Sequence, residues 1–197
     1  MSPERTDKLL QVLHRRQPDL TVILENVFDP HNISAVMRTC DAVGIHEIFV
    51  LNSTIPRHEK FGPRSSSSAD KWITVHQFET VDKCFEAVRS RYDYIFTTHL
   101  SESSVSLYDL NLLRKTALVF GNEHSGCSEE IISKADGNFL IPQVGIIQSL
   151  NISVACAVSI YEAFRQKKAA GHYENPKMPQ GELQKLYRDW KMYDMLR

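Results

Sequence analysis

Hydrophobic residues in this chain follow two patterns, short continuous runs and runs with helical spacing. The continuous runs are rich in Val, Ile, Leu and Phe, and polar or glycine-containing segments bound them. Such runs are typical of strands that are buried on both faces of a sheet. The predicted strands are 21–25, 48–51, 72–75, 94–98, 117–120 and 139–141.

Between these strands, apolar residues recur every three or four positions, as on one face of a helix. The predicted helices are 5–16, 33–43, 81–91, 128–135, 151–168 and 182–195. Gly44 directly follows the second of them, where a left-handed backbone commonly ends a helix. Strands that alternate with helices specify a mostly parallel sheet covered by helices on both faces. The predicted fold class is therefore α/β.

The chain has 197 residues, which is the size of one domain. We divide it into a basic N-terminal helical extension (1–18), a single-domain core (19–168) and a C-terminal linker and helix (169–197). Two prolines and two glycines between residues 171 and 181 indicate the linker. Residues 52–70 contain two prolines and four consecutive serines, and they form either a loop over a site or a plain connection.

Charge is distributed unevenly, although the net charge is only −1. Residues 1–18 carry four Lys and Arg against two acidic residues, residues 165–197 carry eight against four, and the segment between them carries eleven against eighteen. The basic chain ends indicate either that the protein binds a polyanion or that these charges simply face solvent on helix surfaces. The candidate phosphate contacts are Arg5, Lys8, Arg15, Arg16, Arg165, Lys167, Lys168 and Lys177.

Cysteine spacing and hydropathy argue against several classes of protein. The four cysteines have no C-x-x-C spacing and the eight histidines form no spaced ligand set, so we expect no metal site and no disulfide. No apolar run approaches the roughly 20 residues of a membrane span. The N-terminus lacks the apolar region of a signal peptide. We therefore expect a soluble, cytoplasmic protein without membrane contacts.

Polar residues gather at three junctions beside apolar runs, and three such junctions indicate one composite site. The junctions are residues 32–38, 121–126 and 141–155. The last of them joins an apolar strand end to the start of a long helix, whose first turn offers free backbone N–H groups. The candidate site residues are Asn32, Arg38, Glu123, Ser149 and Asn151.

Several nucleotide and hydrolase motifs are missing from these junctions. The segment that begins at Gly121 has the G-x-x-x-x-G spacing of a phosphate loop, but Cys127 stands where that loop needs lysine. A nucleophile elbow needs glycine two positions before its serine, and Glu123 occupies that position before Ser125. No G-x-G-x-x-G follows any predicted strand, so an adenosine cofactor would be held differently.

Each candidate also has a purely structural interpretation. Arg38 lies in a largely apolar helix, where a buried arginine is rare unless it is paired, and Asp41 is its candidate structural partner. Glu123 is alternatively an acid near a helix start. Ser149 and Asn151 are alternatively helix caps.

At these residues the chain closely resembles the SpoU/TrmH group of RNA 2′-O-ribose methyltransferases, in the SPOUT superfamily. The resemblance lies in N-I-S-A-V-M-R-T-C-D-A-V-G from Asn32, L-V-F-G-N-E-H-S-G from Leu118, and I-P-Q-V-G-I-I-Q-S-L-N-I-S-V-A from Ile141. It implies a C-terminal deep trefoil knot, an exception to the usual absence of knots. It also implies that the cofactor S-adenosyl-L-methionine is contacted by Thr98, Gly121, Ile141, Ile146 and Leu150.

The resemblance implies transfer of a methyl group to a ribose 2′-hydroxyl, without a metal. Arg38 is then either a neutral base or a charged group that orients the hydroxyl, because a guanidinium is normally charged. Asn32 and Glu123 are implied to orient Arg38 and the ribose, while Ser149 and Asn151 shape the third motif. A homodimer is also implied, in which Arg38 of one subunit meets the other subunit's active site.

The implied substrate is tRNA. The segment R-R-Q-P-D-L-T from Arg15 and the C-terminal tail resemble family members that methylate guanosine 18 in the tRNA D-loop. The alternatives are another tRNA position, ribosomal RNA, or a non-catalytic RNA-binding protein with the same fold. The predicted RNA contacts are Arg15, Arg16, Arg165, Lys167 and Lys168.

Overall fold

The structure is a computed structural model that describes residues 2–59, 61, 69–147, 149–192 and 195. Residues 60 and 62–68 of the predicted 52–70 loop lie outside the described residues. Part of the predicted last helix also lies outside them.

Within the described residues, seven parallel strands form one sheet in the order β3–β2–β1–β6–β4–β7–β5. They are β1 Leu20–Glu25, β2 Glu47–Leu51, β3 Thr74–Phe78, β4 Tyr94–Thr98, β5 Val105–Ser106, β6 Thr116–Phe120 and β7 Gly137–Leu140. The strands β1, β2 and β6 are buried along their whole length, which explains their continuous apolar character. The predicted α/β class is confirmed.

The α-helices are α1 Pro3–His14, α2 Pro30–Val43, α3 Val81–Arg89, α4 Glu129–Lys134, α5 Ile152–Ala169 and α6 Gln180–Asp189. Local sequence sets both ends of α2. The Asp29 carboxylate accepts a hydrogen bond from the backbone of His31 at 2.8 Å. At the other end, Gly44 has a left-handed φ of 89°, and a Cβ there would lie 2.5 Å from the carbonyl oxygen of Arg15. Glycine is therefore required at this position.

Two apolar cores cover the two faces of the sheet. Met37 of α2 and Ile160 of α5 belong to one core, and Val88 of α3 and Ile131 of α4 belong to the other. A smaller cluster joins α1 to α6, so the two ends of the chain pack against each other. The division into an extension, a core and a tail stays a prediction, as does the trefoil knot.

Some element bounds differ from those predicted. Strand β4 has its predicted bounds, but β3 begins at Thr74 because Trp72 follows a 3₁₀ turn, Ala69–Lys71, and packs edge-on against Trp190. The pattern does not predict β5, because a two-residue strand has no periodicity to detect. Helix α6 is shorter than predicted, since the left-handed φ of 59° at Lys191 cannot continue it.

Among the described residues, no helix has the length and apolar character needed to cross a membrane. The same residues contain no group of three or more His, Cys, Asp or Glu side chains that could hold a metal ion. The four cysteines are buried and free.

Candidate active site

A cavity of about 640 Å³ opens at the carboxyl ends of β4, β6 and β7. Thr98 is the last residue of β4, Gly121 directly follows β6, and Ile141 directly follows β7. These three residues line the cavity together with Leu150, which precedes α5. Ligands of parallel α/β sheets commonly bind outside the carboxyl ends of the strands, and the volume suits a small molecule.

Four of the five predicted cofactor contacts therefore meet in this cavity, and Ile146 does not. Its side chain is fully exposed, and it is not one of the described lining residues. Gln143 and Gly145 of the same loop do line the cavity, so the loop turns the Ile146 side chain outward. The assignment of Ile146 as a cofactor contact stays a prediction.

Three side chains form a hydrogen-bonded chain beside the cavity. Glu123 Oε1 accepts a hydrogen bond from Asn32 Nδ2 at 3.0 Å, and Asn32 Oδ1 accepts one from Asn151 Nδ2 at 3.2 Å. Glu123 and Asn151 also line the cavity. Because each residue comes from a different junction of the sequence, the three junctions do form one composite site.

The Glu123 carboxylate is held in its charged form. Burial alone would raise its pKa, but hydrogen bonds from the backbone N–H groups of Phe28 and Asp29 and from the Asn32 side chain outweigh burial. The pKa of Glu123 is therefore lower than its ordinary value. A charged carboxylate only accepts hydrogen bonds. It consequently directs the Asn32 amide nitrogen toward Glu123 and the amide oxygen toward Asn151.

The loop after β6 is a closed turn that presents Glu123 to Asn32. Asn122 and Gly126 exchange two backbone hydrogen bonds of 3.0 and 2.9 Å, and Asn122 Oδ1 accepts two more from N–H groups within the turn. A Cβ on Gly121 would lie 2.1 Å from the carbonyl carbon of Gly126. This close approach requires glycine.

The sequence interpretation missed Asn26, which connects this turn to a neighbouring loop. Its backbone carbonyl accepts a hydrogen bond from Asn122 Nδ2 at 2.7 Å, and its side-chain oxygen accepts from the backbone of Ser53 and Thr54. Asn26 has a left-handed φ of 49°, which asparagine adopts more readily than most residues. The sequence feature that could have identified this residue is an asparagine directly after a predicted buried strand.

Asn151 is both a helix cap, as its structural interpretation predicts, and part of the candidate site, as its functional interpretation predicts. Its Oδ1 accepts a 2.9 Å hydrogen bond from the backbone of Ser153 and so caps α5, while its Nδ2 bonds to Asn32. The cap fixes the orientation of the amide that reaches the site. Ser149 is exposed, lines the cavity and does not cap the helix.

Arg38 lies on the exposed side of α2 and is not among the described residues that line the cavity. The alternative prediction of an ion pair with Asp41 is wrong, because Asp41 pairs with Arg16 at 2.8 Å. One chain therefore brings Asn32, Glu123, Ser149 and Asn151 together at the cavity, but leaves Arg38 outside it.

Two of the five predicted RNA contacts are structural residues instead. Arg16 is fully buried and donates hydrogen bonds to Asp41 and to the carbonyl oxygen of Ile45. Lys167 is fully buried and pairs with Asp19 at 2.9 Å. The prediction that Arg16 and Lys167 contact phosphates is wrong for this conformation, because burial puts both cations out of reach.

The other three predicted RNA contacts are exposed. Arg165 pairs with Glu162 at 2.8 Å while most of its side chain faces solvent. The Lys168 ammonium lies 5.7 Å from the ring centroid of Phe164. Arg15 follows α1 and is exposed. These assignments stay predictions.

The architecture has counterparts among solved structures. The A. aeolicus TrmH/SpoU tRNA modifying enzyme matches with a TM-score of 0.87 and 35% identity over 98% of this chain and 98% of that chain. An AdoMet-bound rRNA methyltransferase from Sinorhizobium meliloti matches with a TM-score of 0.68 and 26% identity over 79% of this chain and 59% of that chain. The fold is thus that of a parallel-sheet α/β methyltransferase.

Sequence comparison narrows this class to one family. A profile of the SpoU rRNA Methylase family matches residues 19–161, and the chain belongs to this family. The tRNA (guanosine(18)-2′-O)-methyltransferase of Thermus thermophilus is 40% identical over 193 residues, which cover 95% of this chain and 97% of the relative. The family resemblance seen in the sequence is confirmed.

Proposed function

We propose that the chain is an S-adenosylmethionine-dependent methyltransferase that acts on the ribose 2′-hydroxyl of guanosine 18 in tRNA. The observation that carries this proposal is the hydrogen-bonded chain of Glu123, Asn32 and Asn151 beside a cavity at the strand ends. Similarity over nearly the full length to a relative named for this reaction supports the choice of substrate.

Thr98, Gly121, Ile141 and Leu150 would hold the cofactor. The described lining of the cavity combines apolar side chains with backbone groups at strand ends and contains no lysine or arginine. Such a lining suits an adenosine that carries no phosphate. When bound there, the cofactor supplies a methyl group activated by a positively charged sulfur. Alignment of the attacking oxygen is then the main task of the protein.

The remaining site residues act on the ribose. Asn32 and Glu123 orient it at the cavity, and Ser149 and Asn151 shape the loop that precedes α5. Arg38 either accepts the 2′-hydroxyl proton as a neutral base or, in its usual charged form, orients the hydroxyl and a neighbouring phosphate.

A homodimer would complete this site. Arg38 lies outside the cavity of its own chain, so we assign it to the site of a second copy. Exposed apolar side chains near the cavity support such an interface, because patches of this kind mark association surfaces. They are Val144, Ile146, Ile147, Leu150 and Val154.

The exposed Arg15, Arg165 and Lys168 would contact phosphates of the tRNA. Such contacts position the RNA and do not select its sequence. A tRNA substrate would place the enzyme in the cytoplasm.

Methyl transfer to unmodified tRNA tests the proposal. We expect incubation with labelled S-adenosylmethionine to give one 2′-O-methyl group at guanosine 18, located by nucleotide mapping. A tRNA with 2′-deoxyguanosine at this position is the matched control and should accept no label. Label at another tRNA position or in ribosomal RNA would assign a different substrate. Absence of transfer to any RNA would contradict enzymatic function.

A further inference from the structure

A second cavity, of about 390 Å³, lies between the two ends of the chain. We call it the tryptophan cleft, and its lining is Arg5, Lys8, Leu9, Val12, Asp41, Trp72 and Trp190. The rings of Trp72 and Trp190 pack edge-on at 5.0 Å between centroids. Leu9 and Val12 of α1 add apolar walls, while the exposed Arg5 and Lys8 carry positive charge. The cleft thus combines aromatic rings with cations.

A buried arginine holds this cleft in shape. Arg16 is fully buried, and its guanidinium carbon lies 5.3 Å from the ring centroid of Trp190. The same guanidinium donates hydrogen bonds to the backbone carbonyl of Trp72 at 3.2 Å and to Asp41 Oδ1 at 2.8 Å. It therefore connects both tryptophans and the carboxylate. Because these contacts lie within the protein itself and fix both rings and the carboxylate, the cleft is preorganised.

Asp41 adds a hydrogen-bond acceptor to the cleft. Its side chain is 36% exposed although it pairs with Arg16. A carboxylate has two oxygens with about four lone-pair sites, so one hydrogen bond to Arg16 leaves acceptor capacity. The donors that match a carboxylate in nucleic acids are the exocyclic amino groups of guanine, cytosine and adenine, and uracil has none.

We propose that the tryptophan cleft binds one unpaired nucleotide of the RNA substrate. The base lies against the indole rings, its amino group donates to Asp41, and its phosphate lies near Arg5 and Lys8. Aromatic stacking of splayed-out bases is a common mode of RNA recognition. That the nucleotide belongs to RNA rests on the proposed function, whereas binding of a nucleotide follows from the cleft itself.

The helix α2 connects this cleft to the candidate active site. Asn32 lies in its first turn and Asp41 near its end, a separation of about 14 Å at 1.5 Å per residue. Nine residues also place Asn32 and Asp41 on opposite sides of the helix, so an RNA strand that crosses its exposed face would reach both places. The cleft would then contribute to substrate binding without contacting the reacting ribose.

Intrinsic fluorescence tests the proposal directly, because Trp72 and Trp190 are the two tryptophans of the chain. We expect guanosine monophosphate to quench the fluorescence saturably and uridine monophosphate to bind more weakly, since uracil has no amino group. Val12→Phe should fill the cleft and abolish saturable quenching. Gln11→Phe adds the same side chain at an exposed position of the same helix and is the matched control.

Activity measurements extend this test to the substrate. Val12→Phe should raise the KM for tRNA about tenfold, the scale of one stacked base, with kcat and cofactor affinity nearly unchanged. Quenching that does not saturate, or that survives Val12→Phe, would overturn the proposal. An unchanged KM for tRNA would also overturn it, because the cleft would then bind free nucleotides only.

A second variant tests the proposal independently in case Val12→Phe does not fold. Replacement of Arg5 and Lys8 by Gln should weaken guanosine monophosphate binding several-fold and reduce the salt dependence of tRNA binding. Replacement of the exposed Lys83 and Lys115 by Gln is the charge-matched control. Equal effects of the two double substitutions on guanosine monophosphate and tRNA binding would contradict nucleotide binding in the tryptophan cleft. Nucleotide titration requires no methyl transfer, so failure of the cleft and failure of the proposed enzyme activity remain distinguishable.

Discussion

The charge of Glu123 sets the direction of two successive hydrogen bonds at the candidate active site. Because its pKa is lowered, the carboxylate stays charged at neutral pH and at pH values down to its ordinary pKa. Asn32 can then donate to Glu123 and accept from Asn151 at the same time. At this scale a single protonation state organises three side chains from distant parts of the sequence.

We expect Glu123→Gln to lower kcat/KM for tRNA about 10²-fold, the scale of misplaced reacting groups. Glutamine carries one carbonyl oxygen where the carboxylate offers two, so it cannot accept all the hydrogen bonds that Glu123 receives from Phe28, Asp29 and Asn32. Steady-state methyl transfer measures the effect. Glu130→Gln, at an exposed position on α4, should retain activity. Full activity of Glu123→Gln would show that the hydrogen-bonded chain is not needed.

Arg38→Ala should abolish methyl transfer and leave cofactor affinity unchanged, because Arg38 lies outside the cavity. Leu150→Arg should instead block cofactor binding, since it places a long cation against an apolar lining. Calorimetric titration with S-adenosylmethionine, together with a transfer assay, separates the two effects. A fully active Arg38→Ala variant would remove Arg38 from the mechanism.

At the scale of elements, the carboxyl ends of the strands form the cavity, while the amino end of β2 contains a buried carboxylate. Glu47, the first residue of β2, accepts hydrogen bonds from Arg91 at 2.6 Å and from the Tyr92 hydroxyl at 2.9 Å, and its Oε2 lies 2.8 Å from His76 Nε2. These contacts join β2 to β3 and to the segment after α3. Burial alone would raise the pKa of Glu47, but the partners outweigh burial and lower it to about 2.

The free energy of unfolding should consequently fall as the pH decreases from about 4.5 to about 2. A carboxyl whose folded pKa is depressed stabilises the fold above its unfolded pKa, and that stabilisation is lost as pH falls through the folded pKa. The shift corresponds to about 3 kcal/mol. Denaturant unfolding of Glu47→Gln should show lower stability at pH 7 and a flatter pH dependence. The exposed Glu86→Gln is the control, and parallel curves for wild type and Glu47→Gln would contradict this role.

At the scale of the whole molecule, the assignment of Arg38 to a partner's site has a quantitative consequence. Arg38→Ala and Glu123→Gln should each be nearly inactive alone, but equal mixing after subunit exchange should restore about a quarter of wild-type activity. Half of the dimers are then mixed, and each contains one intact site of two. Restoration to this level in a transfer assay supports a shared site, whereas no restoration would place Arg38 and Glu123 in the same chain's site.

A substitution among the exposed apolar side chains near the cavity provides the control for the subunit-mixing experiment. Val154→Asp should yield a folded monomer without transfer activity, measured by light scattering and circular dichroism, because Val154 is 46% exposed on α5 near the cavity. Leu113→Asp changes an exposed apolar residue elsewhere and should remain dimeric. A Val154→Asp variant that remains dimeric would show that the dimer interface lies elsewhere on the protein.

Part of the structure follows from the sequence because its causes are local. Strand β4 and the C-terminal end of α2 were predictable, since continuous apolar runs, helical spacing and Gly44 act within a few residues of the chain. The start of α2 was predicted at Ile33, but the helix begins three residues earlier at Pro30, after the cap Asp29. The three polar junctions were visible for the same reason, and the family resemblance assigned Asn32, Glu123 and Asn151 to one site. Strand β5 was not predictable, because pairing with β7 alone defines a two-residue strand.

By itself, the sequence determined the α/β class, most strands and helices, the family, and the grouping of Asn32, Glu123, Ser149 and Asn151. Only the tertiary structure decided which charged residues face solvent. Arg16 and Lys167 look like their exposed neighbours in the sequence, yet both are buried against Asp41 and Asp19. Periodicity reports which side of an element is apolar, but burial of a charge depends on a counter-ion brought close by the fold. The same physical reason explains why Arg38, without Asp41 as partner, remains exposed.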